Sequence, residues 1–189
     1  MTDSQIYSVD VAGVKRDLRL FEVAPGVQIA ILNILGDTEL VNAAADALSE
    51  RVRGLDADVI VTAETKSIPL VHALSERLDL PYVVLRKQYR PYMGDALEVE
   101  THSITTGTAQ TLYLDEKDRG YLKGKRVLLV DDVISTGSTL EAMRHLVKQA
   151  GGEAVGEAAV FTEGDKAQWQ EIIALGHLPV FSDDARPPS

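Results

Sequence analysis

Short apolar runs alternating with helical stripes confine this chain to a sheet whose strands are covered on both faces. The segments "DVIVTA" (58–63), "PYVVLRK" (81–87) and "RVLLV" (126–130) each place consecutive aliphatic residues between polar ends. A half-exposed strand would alternate instead; an unbroken run fits burial on both sides. Between these runs apolar residues recur about four apart. Leu40, Ala44, Leu48 and Val52 share one face of a helix predicted over about 38–52, with Asp37 placed to cap it. Leu70, Leu74 and Leu78 mark a second helix with Pro69 in its first turn, and Leu140, Met143, Leu146 and Val147 mark a third. Strands joined through helices predict an α/β fold, a mostly parallel sheet flanked by helices.

The ends of the chain differ from this pattern. In residues 6–35, "YSVDV", "LRLFEV" and "VQIAILNIL" are broken by Ala12-Gly13 and Pro25-Gly26, which read as turns between β segments. The expected organisation is a β-rich segment over 1–36, a core over 37–182 and a tail over 183–189. Towards the end, "GGEAVGEAAVF" supplies a turn and a strand, a helix is predicted over roughly 166–175, and "LPVFS" makes a last short strand. Residues 89–111 show no sustained period and read as a long mobile loop or a loose hairpin. Loops of that length in compact domains are uncommon and often functional.

Composition removes several classes of function. With 29 acidic against 19 basic residues, the chain of 189 carries a net charge of −10, so a broad nucleic-acid surface is a poor fit. A small anionic ligand fits if the cations are concentrated locally. There is no cysteine, which excludes disulfides and thiolate metal sites and agrees with a cytoplasmic protein. No apolar stretch approaches the ~18 residues of a membrane span, and the first twenty residues lack a signal-type core.

Chemistry is concentrated in "VLLVDDVISTGSTLEAM" (127–143). An apolar strand ends on Asp131 and Asp132; Val133 and Ile134 follow; Ser135, Thr136, Gly137, Ser138 and Thr139 then lead into the third helix. In an open α/β sheet, ligands bind at the carboxyl ends of the strands. Without a Cβ, Gly137 can take positive φ and let the backbone close on a ligand. Hydroxyls and helix-start amides then point into one small space, a cup for a monophosphate. Ionised carboxylates only accept hydrogen bonds, so the aspartates suit hydroxyl donors and not the phosphate itself. A ligand with a phosphate at one end and a vicinal diol nearby, such as ribose 5-phosphate, satisfies both. Other signatures fit less well. "STGSTLEA" has no lysine for a Walker loop, one glycine is too few for a dinucleotide fingerprint, and the acid pair lies far from the first strand, where receiver domains carry theirs.

The stretch "VLLVDDVISTGST" resembles the phosphoribosyl-pyrophosphate signature of type I phosphoribosyltransferases, in the subfamily acting on purines. The resemblance covers about residues 58–165. It implies that Asp131 and Asp132 bind the ribose hydroxyls, that 135–139 hold the 5-phosphate, and that Val133 and Ile134 are substrate-binding beside them. "TAETKSIP" (62–69) resembles the family's pyrophosphate loop, which makes Glu64, Thr65, Lys66 and Ser67 substrate-binding, with Lys66 and Ser67 where adenine enzymes often carry arginine and glycine. Arg86 and Lys87 in "LRKQYR" would meet the diphosphate, sometimes across a dimer interface. The resemblance further implies Mg²⁺, a homodimer, a base-binding hood at the N-terminus, a closing loop within 89–111, and backbone contacts to a purine from "VFTEGD" (160–165). "HSITTG" stands where adenine enzymes carry a Tyr-Glu pair, and "GDALEVETHSITTG" is closer to archaeal hypoxanthine/guanine enzymes; His102 is catalytic, a base contact or simply exposed. The implied function is transfer of phosphoribosyl to a purine, adenine first, with hypoxanthine, guanine or xanthine as alternatives. A non-catalytic regulator that binds the same donor is the reading from another class; residues 1–50 are short and acidic for the DNA-binding part such regulators carry.

Overall fold

The computed structural model describes residues 6–102 and 109–182. Three antiparallel strands come first, β1 (Ile6–Val11), β2 (Val14–Ala24) and β3 (Val27–Ile31), with turns where Ala12-Gly13 and Pro25-Gly26 predicted them. The core follows as α1 (Thr38–Val52), β4 (Val59–Ala63), α2 (Ile68–Leu78) and β5 (Tyr82–Leu85). Next are β6 (Leu97–His102), β7 (Ala109–Leu114), β8 (Arg126–Ile134), α3 (Ser138–Gln149), β9 (Glu153–Glu163), β10 (Ile173–Leu178) and β11 (Val180–Ser182). The central sheet runs β10-β9-β8-β4-β5 with every neighbouring pair parallel. β11 leaves it and pairs antiparallel with β3, completing a second sheet in the order β1-β2-β3-β11.

Two apolar clusters cover the faces of the parallel sheet. Leu40, Leu48, Leu70 and Leu74 of the first two helices pack with Ile60, Leu128 and Val160 and with Leu18 and Ala30 of the antiparallel sheet. On the other face, Leu140, Met143 and Leu146 of α3 pack with Val61, Leu129 and the hairpin residues Leu112 and Leu114. A polar tie joins the antiparallel sheet to the core. The Asp37 carboxylate caps α1 by accepting from the Leu40 amide at 3.1 Å and takes both Nε (2.7 Å) and Nη2 (2.8 Å) of Arg16. That guanidinium, ahead of the capping bond, holds the Asp37 carboxyl below its ordinary value.

Three segments differ from the sequence reading. The helix predicted over 166–175 is a short 3-10 turn at Lys166–Trp169 followed by β10. The outer edge of β9 is open to pairing, and Gly176 opposite Phe161 leaves room for its ring, since a Cβ there would stand 2.6 Å from Cε1. Pairing at that edge overrides local helix preference. Within 89–111, a 3-10 turn at Pro91–Met93 precedes β6 and β7, which form a regular hairpin with Leu97 opposite Leu114 and Val99 opposite Leu112. Its tip lies outside the described residues, as do the tail over 183–189 and the side chain of His102. Finally, β8 extends through Ile134, so both aspartates lie inside a strand. Among the described residues, no helix is long and apolar enough to cross a membrane.

Candidate active site

The carboxyl ends of β4, β5 and β8 bring the three basic or acidic segments of the sequence to one edge of the parallel sheet. At the centre are Asp131 and Asp132, both half-buried near the end of β8. Ser67 stands at the start of α2, 2% exposed, and its Oγ donates to Asp131 Oδ1 at 2.7 Å and lies 3.5 Å from Asp132 Oδ1. The amide of Asp132 donates to the same Asp131 oxygen at 2.9 Å. Ser67 therefore holds the acid pair against the loop that follows β4. A glycine at this position would have no side chain for that bond.

Burial first, and then the neighbouring Asp132 carboxylate, push the Asp131 carboxyl up to about 7; the bonds from Ser67 and the Asp132 amide offset this in part. An acid whose value is raised by folding favours the folded state most when protonated. That contribution is complete below the unfolded value near 4 and is lost as pH rises through about 7. Asp131→Asn is expected to gain stability relative to the native chain between pH 5 and pH 8, by on the order of 1–3 kcal/mol. Urea denaturation of both chains at the two pH values measures this. A stability difference independent of pH would show that Asp131 is an ordinary carboxylate.

Beyond β8, Ile134 is 2% exposed in the α3 cluster, so only its backbone can serve a ligand. Ser135 and Thr136 are exposed, while Val133, Gly137, Ser138 and Thr139 are half-buried. Gly137 adopts φ 78° at the head of α3 and turns the chain into the helix. Thr136 Oγ1 lies 3.0 Å from Ser138 Oγ and 3.4 Å from the Ser138 amide. Amides at the start of a helix have no partner within it, so the loop offers N–H and O–H groups around a concave turn.

The cations are held at the rim. Arg86 is ion-paired through Nε to Glu64 Oε1, and the Lys87 amide donates to Glu64 Oε2 at 2.9 Å. Glu64 thus fastens the ends of β4 and β5 together and presents the basic pair. Lys66 is exposed and its Nζ donates to the Leu32 carbonyl at 3.3 Å, which carries positive charge to the junction with the antiparallel sheet. Thr65 is exposed on the same loop. Arg90 is engaged with Gln88 at 3.1 Å.

The end of β9 is already occupied by its own chain. The Glu163 carbonyl accepts from Trp169 Nε1 at 2.9 Å, and the Gly164 carbonyl lies 3.0 Å from His177 Nε2. A carbonyl only accepts, so Nε2 carries a hydrogen, and Nδ1 lies 2.9 Å from the Thr162 hydroxyl. The backbone contacts expected from "VFTEGD" towards a purine meet carbonyls that each have a partner. Sequence reasoning missed Trp169 altogether; its only signal was that it is the single tryptophan of the chain.

A family model, the phosphoribosyl transferase domain, matches residues 31–174. The hypoxanthine/guanine phosphoribosyltransferase of Methanococcus voltae is 40% identical over 130 residues, 67% of this chain and 66% of that protein. The protein of the same name from Methanotorris igneus is 39% identical over 127 residues, with the same coverage. The chain thus spans just under two thirds of the length of these curated relatives. Among solved structures, adenine phosphoribosyltransferase from Rhodothermus marinus is 26% identical with a TM-score of 0.63, covering 91% of this chain and 93% of that one. The adenine enzyme of Thermoanaerobacter pseudethanolicus, at 22% identity and a TM-score of 0.64 over 91% and 95% of the two chains, shares the fold. The family match runs from the end of β3 into β10 and takes in every strand end and loop that builds the acid pair, the cup and the cationic rim; the chain belongs to the type I phosphoribosyltransferases.

Proposed function

We propose that this chain transfers a 5-phosphoribosyl group from phosphoribosyl pyrophosphate to a purine base, giving a nucleoside monophosphate and pyrophosphate. One observation carries the reading: a paired carboxylate, a hydroxyl-lined turn and three cations share one edge of the parallel sheet, joined by the Ser67–Asp131 bond. The turn at 135–139 takes the 5-phosphate, Asp131 and Asp132 take the ribose hydroxyls, and Lys66, Arg86 and Lys87 meet the diphosphate. A base nitrogen bonds to C1 while the C1–O bond to the diphosphate breaks, and its electron pair leaves on the diphosphate. The nitrogen gives up its proton to water or to the departing diphosphate. Positive charge develops on the sugar in that transition state, so carboxylates beside the ring stabilise it, and a closing segment within 89–111 that excludes water belongs to the same reading. Residues 1–36 are read as a hood on the base side; a homodimer in the cytoplasm belongs to the same reading.

The donor set suits Mg²⁺ carried in with the diphosphate. Glu64 is committed to Arg86 and Lys87, whereas Ser67 and the Asp132 amide both use one oxygen of Asp131, so each aspartate keeps an oxygen to offer. A hard cation that keeps most of its water and takes substrate oxygens fits one such group. When bound, Mg²⁺ neutralises the leaving diphosphate.

The test is a panel of purine bases with phosphoribosyl pyrophosphate and Mg²⁺, read by mass. Conversion of at least one purine with equimolar pyrophosphate is expected. The panel also separates adenine, named for the Rhodothermus structure, from hypoxanthine and guanine, named for the methanogen relatives. Donor binding with no product from any purine would replace this reading with a non-catalytic binder.

A further inference from the structure

Trp169 reaches Gly137 in the 135–139 turn, and nothing in the proposed chemistry uses it. Its ring edge lies where a Cβ on Gly137 would stand 3.0 Å from Cη2 and 3.3 Å from Cζ3. Its indole N–H is spent on the Glu163 carbonyl at 2.9 Å. The ring also packs with the apolar cluster of α3, and its other side borders an open cleft of about 370 Å³ shared with Lys166, Gln170 and His177. One side chain thereby spans the cup and the end of β9.

The loop itself is weakly braced. Among the described residues, its side chains make only the Thr136–Ser138 contacts, the longer of them at 3.4 Å. Ordering a free loop costs backbone entropy at every residue, a cost that falls on ligand binding unless something holds the loop beforehand. A ring against Gly137 limits movement of the turn towards it.

We propose that Trp169 is a positioning residue, which pre-shapes the cup for a phosphate monoester and ties it to the end of β9. This rests on the reading of 135–139 as the 5-phosphate site. The 5-phosphate does not react, so it is held alike in ground state and transition state. Loosening its cup therefore raises KM for the donor and leaves kcat nearly unchanged.

The full chain supplies two tests. Because Trp169 is the only tryptophan, its emission reports the contact directly: titration with ribose 5-phosphate is expected to change it saturably, and ribose, lacking the phosphate, is expected not to. Trp169→Ala is expected to raise donor KM about tenfold, with kcat and base KM within about threefold of native. Trp169→Phe, which loses the N–H but keeps an aromatic ring, is expected to raise it about threefold, and stands in if the alanine variant does not fold. An emission unmoved by ribose 5-phosphate would overturn the proposal. So would a native donor KM in either variant, or a loss spread equally over kcat and both KM values. If no purine is turned over, the enzymatic reading fails on its own. The emission titration, with the calorimetric affinity of Trp169→Phe for ribose 5-phosphate, still decides the role of Trp169: weaker binding than native supports it and native affinity overturns it.

Discussion

Asp132→Asn is expected to lower turnover by more than about tenfold while leaving the fold intact. A hydrogen bond to a charged group contributes about 1.5–3 kcal/mol, and about 1.4 kcal/mol is a factor of ten in rate. Asparagine keeps the shape but brings an uncharged oxygen and an N–H that the ribose hydroxyl must face. It also removes the negative charge that best opposes positive charge developing on the sugar. The structure gives little reason for the variant to unfold: Ser67 approaches the Asp132 side chain at a long 3.5 Å, and the shorter bond from Ser67 goes to Asp131. Taking away the neighbouring charge in fact relieves Asp131, whose carboxyl that charge pushes up. Steady-state kinetics alongside a melting curve check both halves. Near-native turnover would remove Asp132 from the sugar site, and a fall of Tm by about 8 °C or more, roughly 2 kcal/mol or more at this size, would make its role structural.

Gly137→Ala is expected to raise donor KM about tenfold or more and to destabilise the fold by about 1–3 kcal/mol. Two costs combine. The turn requires φ 78°, where an L side chain costs roughly 1–2 kcal/mol, and the new Cβ would press on Trp169 Cη2 at 3.0 Å. Only the second cost depends on the indole. Trp169→Phe removes the outer ring atoms, so the double variant is expected to lose less than the two single changes summed, a positive coupling of about 0.5 kcal/mol or more. Strict additivity in urea denaturation would mean that the ring does not bear on the loop.

Much of this was legible in the sequence because the strands that build the site are buried on both faces. An apolar run such as "VIVTA" or "RVLLV" has one stable use in a chain of this kind, and the helices between carry plain stripes. The motif after β8 was legible too, since two acids before a Ser/Thr-Gly turn have few purposes. What stayed hidden depends on partners far along the chain. β10, with Gly176 and His177 in its middle, has no apolar run of its own and becomes a strand only because β9 offers an open edge. In the hairpin, Leu97, Glu98, Val99 and Glu100 alternate over too few residues to stand out as a period, and their register against Thr111–Leu114 is set across an intervening tip. Ser67 looked like a departure from a glycine and proves to be the donor that holds Asp131. Glu64, expected to meet substrate, is engaged by Arg86 and Lys87. No local pattern marks Trp169, because its meaning lies in reaching back to Gly137.

A crystal structure of the full chain with ribose 5-phosphate measures most directly whether the acids hold a sugar and the turn holds its phosphate. Phosphate oxygens are expected at about 2.7–3.2 Å from the amides of the 136–139 turn, and ribose hydroxyls at hydrogen-bond distance from Asp131 and Asp132. A sugar phosphate seated elsewhere, or bound at this edge with both carboxylates turned away from it, would contradict this placement.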